Sequence, residues 1–311
     1  DGRFAGACNI DQTPAGRKAA VNKLLELKPL SVVMEATGIY YLDLAMELAA
    51  AGLPVSVINP KSFHNFAKLM LKNSKTDAID AQLLAEYGER MSPRLWTPPT
   101  AIQLELRAIG RHINRLTCHR TRAKNELHAL KATQTTLTML IEDEEEAIEA
   151  FDKRIERFRL AGRALIDNCP TLSAQFGHMI AAPGMGEISV FAALAELTTL
   201  PVTLKSAQVS RHAGLDVRLT QSGTSIDKPG RISKGGNAYL RSAMYMPALT
   251  AIRCDSNVKA FYEALIGRGK RKMQAIVAVM RKYLTGLWAC MQAGEDFDTA
   301  KLFSAKDLAK A

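Results

Sequence analysis

Ser31-Val32-Val33-Met34-Glu35, then Tyr40 to Ala51 stopped by Gly52, then Pro54-Val55-Ser56-Val57-Ile58-Asn59, is the stretch that decides how the chain begins to fold. The first segment is a short β-branched strand, the second a helix with a glycine stop, and the third a strand again. A strand, a helix and a strand at this spacing form a crossover unit, so the two strands are expected to be parallel and adjacent. The chain therefore opens as an α/β domain.

Upstream, Thr13-Pro14 supplies a helix cap followed by proline at the first helical position, and a helix is expected from Ala15 to Leu27. Arg3 to Ile10 looks like a strand. Asp1-Gly2 is a strong hairpin turn signal with no strand before it, which points to a strand missing at the N-terminus. Downstream, Asn59-Pro60 closes the second strand, Ser74 is expected to cap a helix that follows Lys75, and the domain ends near Pro98-Pro99. Three domains result: an α/β domain over 1–99, a helical linker over 100–170, and a mostly helical domain over 171–311. In the linker, Leu104, Ile109, Ile113 and Leu116 line one helix. Ile148, Phe151, Ile155, Phe158 and Leu165 fall at heptad spacing on another, with Gly162 interrupting the seam. A helical hairpin or an oligomerising coiled coil fits that pattern. The acidic run Glu142 to Glu146 reads as a solvated helix N-terminus.

Composition narrows the function. The chain has 311 residues, 47% of them hydrophobic, which suits a two-domain globular protein. No apolar run is long and charge-free enough to span a bilayer, and no signal-peptide pattern opens the sequence. Cys8, Cys118, Cys169, Cys254 and Cys290 are scattered without a CxxC pair, which fits reduced thiols in a cytoplasmic protein and disfavours a cysteine zinc site. His112, His119 and His128 sit among arginines and read as polar-face residues. Net charge is +10, and between Lys205 and Lys282 there are 15 Lys or Arg against four acids, a net of +11. So concentrated a positive field is the footprint of a polyanion. With 6% aromatic residues, base stacking on a single-strand platform is not the expected mode.

Three carboxylates stand where such a protein can hold a metal. Glu35 closes a parallel strand ahead of Thr37-Gly38, where α/β sheets display functional side chains. Asp77 and Asp80 share a face at the start of a helix, with Ile79, Leu83 and Tyr87 burying the neighbouring stripe. Carboxylates so placed can converge on Mg²⁺ or Mn²⁺ and serve phosphodiester chemistry. In the basic region, Gln221-Ser222-Gly223-Thr224 reads as a flexible loop with Arg211, Arg218, Lys228, Arg231 and Lys234 near in sequence to bind phosphate. Ser210, Ser225 and Ser233 are rival nucleophiles, with Tyr239 and Tyr245 behind them. Pro183-Gly184-Met185-Gly186 resembles the turn of a helix-hairpin-helix, whose Gly184 and Gly186 would let backbone amides approach phosphates. Arg268, Lys270, Arg271 and Lys272 read as a phosphate-contacting turn. The residues alone leave open a metal-dependent recombinase, a Holliday-junction-type nuclease using activated water, and a non-catalytic nucleic-acid-binding protein.

Val-Val-Met-Glu35-Ala-Thr-Gly, Val-Ile-Asn-Pro60 and Lys-Thr-Asp77-Ala-Ile-Asp80-Ala resemble the N-terminal domain of the DEDD-type insertion-sequence transposases, relatives of the Piv DNA invertase. The likeness continues through Pro-Gly184-Met-Gly186, Ala-Gly214-Leu, Ser222-Gly-Thr, Ile-Ser233-Lys-Gly-Gly and Tyr245-Met-Pro-Ala, in order along nearly the whole chain. The resemblance implies a RuvC-like ribonuclease H fold for the first domain, with Glu35, Asp77 and Asp80 as the last three of four metal-binding acids. The family's first acid lies on a first strand that this sequence does not contain, and Asp11, ahead of a helix, does not replace it. The resemblance also implies Ser222 as the nucleophile that forms a phosphoserine link to DNA. A tetrameric assembly and a structured noncoding guide RNA that pairs with donor and target double-stranded DNA follow from it as well.

Overall fold

Helix α1 (Pro14–Leu27) starts where the proline marks it, with Thr13 Oγ1 accepting the amide of Gly16 at 3.1 Å. The computed structural model describes residues 8–38, 40–71, 76–133, 137–222 and 226–303, with 220, 222 and 226–229 described by backbone only. The Asp1-Gly2 turn lies outside the described residues. Of the strand expected over Arg3 to Ile10, the described part, 8–10, is exposed coil. A strand needs a partner edge for its amides, and among the described residues none pairs with it.

The deciding stretch folds as expected. β1 (Val32–Glu35), α2 (Leu42–Ala50) and β2 (Val55–Ile58) form the crossover, with β1 and β2 parallel and Glu35 opposite Ile58. Gly52, at φ +79°, makes the left-handed turn out of α2. Alternation splits the sheet's faces. Val32, Met34, Val55 and Val57 pack with Ala45 and Leu48 of α2, whereas Val33 and Ile58 meet the helices that follow. The first of these, α3 (Pro60–Leu69), corrects the sequence reading. Asn59 ends the strand and also caps a helix, its Oδ1 accepting the Lys61 amide at 2.8 Å with Pro60 at the first position. The second, α4 (Asp77–Met91), is capped by Thr76, whose Oγ1 accepts the Ile79 amide; Ser74 lies outside the described residues. Phe63, Phe66 and Leu83 close this side, and Gly88 lets α4 lie against β1: a Cβ there would stand 2.8 Å from Val33 Cγ2. Among the described residues of the first 98 positions, this parallel pair is the sheet.

The chain divides into two compact units, 1–98 and 99–311. The second begins with α5 (Ala101–Ala132) and α6 (Thr138–Asp167), an antiparallel hairpin within one chain. Arg120 pairs with Asp152 at 2.5 Å and Lys131 with Glu145 at 2.6 Å near its tip. The heptad seam therefore finds its partner inside the chain. The acidic run lies one turn inside α6, where Glu145 takes up the pair with Lys131. His112 is half-buried among arginines: it packs edge-on against Phe158, 4.4 Å between centroids, and accepts at Nδ1 from Arg115. Burial first, then the charges of Arg115, Arg154 and Arg157, hold its pKa below the ordinary 6.5.

Next come α7 (Pro170–Ile180), α8 (Glu187–Leu197), α9 (Ser206–His212), β3 (Val217–Ser222), β4 (Ile226–Ile232), α10 (Ala238–Ala243), α11 (Tyr245–Cys254), α12 (Ser256–Gly267), α13 (Lys272–Ala293) and α14 (Thr299–Leu302). One core joins Leu106, Ile113, Ile155 and Ile166 of the long hairpin to Phe191, Leu194, Tyr283 and Leu287 of α8 and α13. The boundary expected at 170 therefore does not separate two cores. Gly162 is no flaw in the seam. A Cβ there would lie 2.3 Å from the Phe191 ring, and one on Gly110 would lie 2.9 Å from the Ala195 Cβ and 3.5 Å from Phe191. The two glycines form the notch into which α8 lays its phenylalanine. Among the described residues, no helix is long and apolar enough to cross a membrane.

Candidate functional site

Glu35 ends β1, half-buried, two residues beyond Val33 and so on the sheet face that α4 covers. Asp80 is half-buried in the first turn of α4, at the edge of the core, and Asp77 is exposed one turn earlier. All three offer hard carboxylate oxygens of the kind Mg²⁺ or Mn²⁺ selects. Among the described residues, no three His, Cys, Asp or Glu side chains are gathered as a metal site requires. The close approach of α4 to β1 is at Gly88, eight residues past Asp80, or about 12 Å along the helix. Glu35 and Asp80 stand on elements that face each other, and the three acids do not form a metal-ready group among the described residues. Asp11 lies in coil ahead of α1, its backbone against Gly16.

Ser222 is the last residue of β3 rather than a loop residue, its backbone opposite Ile226. Its side chain, that of Lys228, and all of Ser225 lie outside the described residues. The rivals that are described fare poorly. Ser210 is fully buried, its hydroxyl without a hydrogen-bond partner among the described residues. Ser233 Oγ donates to the Asp216 carboxylate. Tyr239 lies under the Arg111 guanidinium at 4.9 Å, and Tyr245 is exposed on α11.

The β3–β4 hairpin has a firm base. The Ser233 amide donates to Asp216 O at 2.9 Å, and that of Lys234 to Gly214 O at 3.1 Å. Gly214, at φ +67°, has no room for a Cβ beside Arg241 Nη1 and Gly235 O, both 2.8 Å away. The register shifts between the pairs Arg218–Arg231 and Thr220–Lys228, two residues on β3 against three on β4. Pro229-Gly230 absorb the extra residue, and proline, lacking an amide, is tolerated at such a bulge.

Two of the expected features do different work. Gly184, at φ +78°, is glycine because α11 fills the space a Cβ would take, with Pro247 O at 2.8 Å and the Ala251 amide nitrogen at 2.9 Å. Pro183 O accepts from the Tyr283 hydroxyl at 2.8 Å, so the turn is anchored inward. Gly186, at the start of α8, faces open space. Some basic residues are engaged inside: Arg241 donates to Ala213 O and Lys282 to Leu302 O. Arg211, Arg218, Arg231 and Lys234 are exposed, as are Arg268, Lys270 and Arg271 in the turn between α12 and α13 and Lys272 at the start of α13. Gly269, at φ +79°, shapes that turn, and the Arg271 amide donates to Gln274 Oε1 at 3.0 Å.

The sequence reading missed Glu196. It is 2% exposed, accepts from Arg111 of α5 through both oxygens at 2.6 and 2.9 Å, and accepts from Asn237 Nδ2 at 2.5 Å. Asn237 in turn caps α10 and donates its amide to His212 O at 2.7 Å. The signal was there: one acid inside the otherwise apolar run Val190 to Leu197.

Comparison with known proteins identifies the family. A family model for transposases of the DEDD, IS110 type matches residues 1–135, and a model described as the transposase IS116/IS110/IS902 family matches residues 179–263. The pilin gene-inverting protein of Moraxella bovis is 30% identical over 271 residues, covering 86% of this chain and 82% of that protein. A transposase for insertion sequence element IS1111A from Coxiella burnetii is 27% identical over 312 residues, covering 90% of this chain and 83% of its own. A probable family 20 transposase of Pseudomonas aeruginosa is 27% identical over 300 residues, covering 86% of this chain and 85% of that protein. With two family models matched in order and a relative at this identity along most of both chains, the chain belongs to the IS110 family of DEDD insertion-sequence transposases, related to the pilin gene inverters.

Proposed function

We propose that the chain cuts and rejoins double-stranded DNA through a phosphoserine link made by Ser222, at donor and target sites chosen by a structured noncoding guide RNA. The observation that carries this is the place of Ser222. It ends a strand whose neighbours Arg218 and Arg231 are exposed cations, while Ser210 is buried and Ser233 is held by Asp216. The Ser222 hydroxyl loses its proton as its oxygen bonds to the scissile phosphorus. The bond from phosphorus to the sugar oxygen breaks, and that oxygen takes up a proton. Attack by the sugar hydroxyl of another strand reverses the step, so strands exchange without net hydrolysis. Exposed arginines and lysines of the basic region hold the backbone phosphates.

Glu35, Asp77, Asp80 and the family's first acid would hold Mg²⁺ or Mn²⁺. Their all-oxygen donor set fits such a cation, and since they are not clustered here, binding would draw them together. Bound there, the cation would supply Lewis-acid stabilisation of the phosphoryl and leaving oxygens. A RuvC-like ribonuclease H fold for the first unit and a tetrameric assembly complete the proposal.

The test is denaturing-gel detection of protein joined to cleaved DNA, on a protein that also carries the family's first acid. Ser222→Ala should abolish the adduct and leave nucleic-acid binding nearly intact, since it removes a nucleophile but no charge. Asp80→Ala should abolish it as well. An adduct that survives Ser222→Ala would move the nucleophile elsewhere, Tyr245 first. Cleaved DNA without an adduct in the unmutated protein would favour a nuclease using water.

A further inference from the structure

We propose that the β3–β4 ribbon is the element that grips duplex DNA, and that Arg218 and Arg231 close together on a single backbone phosphate. This rests on the reading of the chain as a DNA recombinase and adds which element holds the strand, and how. The two arginines are direct cross-strand partners in the antiparallel register, on one face of the ribbon. Residues so paired hold their Cβ atoms about 5 Å apart, and like charges there destabilise the sheet. Both are exposed, and among the described residues neither pairs with a carboxylate. Two forked guanidiniums at that separation can take one phosphate between them, which turns a repulsive pair into a clamp.

The rest of the ribbon supports the assignment. Val217 is 52% exposed and Leu219 72%, so the ribbon stands clear of the core instead of completing it. An isolated two-stranded hairpin is marginal in water and gains from a bound partner. Arg211 and Lys234 extend the exposed positive charge to its base. Residues 217–232 include no aromatic side chain on which an unpaired base could stack, which favours a duplex over a single strand. Ser222 follows Arg218 by four residues on β3, about 13 Å of extended chain. The clamped phosphate therefore lies within a few base-pair steps of the one the serine attacks.

The experiment measures binding of a short random-sequence duplex DNA across a range of salt concentrations, for the unmutated chain, Arg218→Gln, Arg231→Gln and the double variant. Each single variant should lose roughly tenfold in affinity, as for a hydrogen bond to a charged group, and the double more than either. The slope of log affinity against log salt should shrink by about one in the double variant, which loses the one shared phosphate contact, and by less in each single variant, which keeps one guanidinium on it. A double variant whose slope shrinks by about two holds two separate phosphates, and the shared clamp is wrong. Unchanged duplex binding in the variants, with binding intact in the unmutated chain, overturns this inference and spares the recombinase reading. No duplex binding by the unmutated chain sinks both. Loss of affinity for a structured RNA with duplex binding unchanged would reassign the ribbon to RNA and overturn the proposal. Relief of a like-charge pair should not weaken the ribbon, so a lower melting temperature in either single variant would mean the arginines are structural, which also overturns it.

Discussion

Glu196 shows how much one residue can organise. It is a carboxylate sealed inside α8, and its two oxygens reach α5 through Arg111 and the start of α10 through Asn237. Arg111 is the more accessible partner, with a third of its side chain exposed against 3% for Glu196. That asymmetry makes a prediction. Arg111→Ala leaves a buried carboxylate whose remaining hydrogen bond among the described residues is to the Asn237 side-chain amide, and should cost about 3 kcal/mol or more. Glu196→Gln leaves a guanidinium that can turn toward water, and should cost less, about 1–2 kcal/mol. Urea denaturation of both variants decides it, and equal losses would mean that packing, not charge, sets the cost.

At the scale of elements, the notch formed by Gly110 and Gly162 is the contact most open to test. Gly162→Ala puts a methyl group into the Phe191 ring and should cost about 1–3 kcal/mol by overpacking. Phe191→Leu removes the ring edge, so the double variant should be more stable than the sum of the two losses predicts. Additive melting shifts would place the strain elsewhere. The same glycine shows what the sequence makes legible. Its break in the heptad could be seen, but the ring that requires it lies 29 positions away on another helix. Gly184 is similar: the positive φ belongs to the turn, whereas the reason for it is the backbone of α11. Local signals read more easily. Thr13-Pro14 marked α1, and the same type of signal at Asn59-Pro60 opened α3, overlooked because an Asn-Pro pair also ends strands. For the acids, Glu35 at a strand end and Asp80 at a helix start were both legible. That the three acids are not gathered as a metal site among the described residues was not, because their spacing depends on where along α4 the sheet makes contact.

For the whole molecule, charge is the dominant property. The net +11 between Lys205 and Lys282 divides into side chains engaged inside the fold, such as Arg241 and Lys282, and those that face outward. The turn between α12 and α13 belongs to the second set. Replacing Arg268, Lys270, Arg271 and Lys272 by Ala should weaken nucleic-acid binding and flatten its dependence on salt, because fewer counterions are released. Unchanged affinity and slope would show that this turn does not touch phosphate. The seating of Phe191 also has a mechanical consequence. It pins the long hairpin close to its base, leaving residues 110 to 132 of α5 beyond the pin, an arm of about 33 Å at helical rise. A swing of about 5° at the notch would carry the tip by about 3 Å over such an arm. Small rearrangements around α8 are thus magnified at the far end of the hairpin, and a looser notch would blur the motion before it arrived.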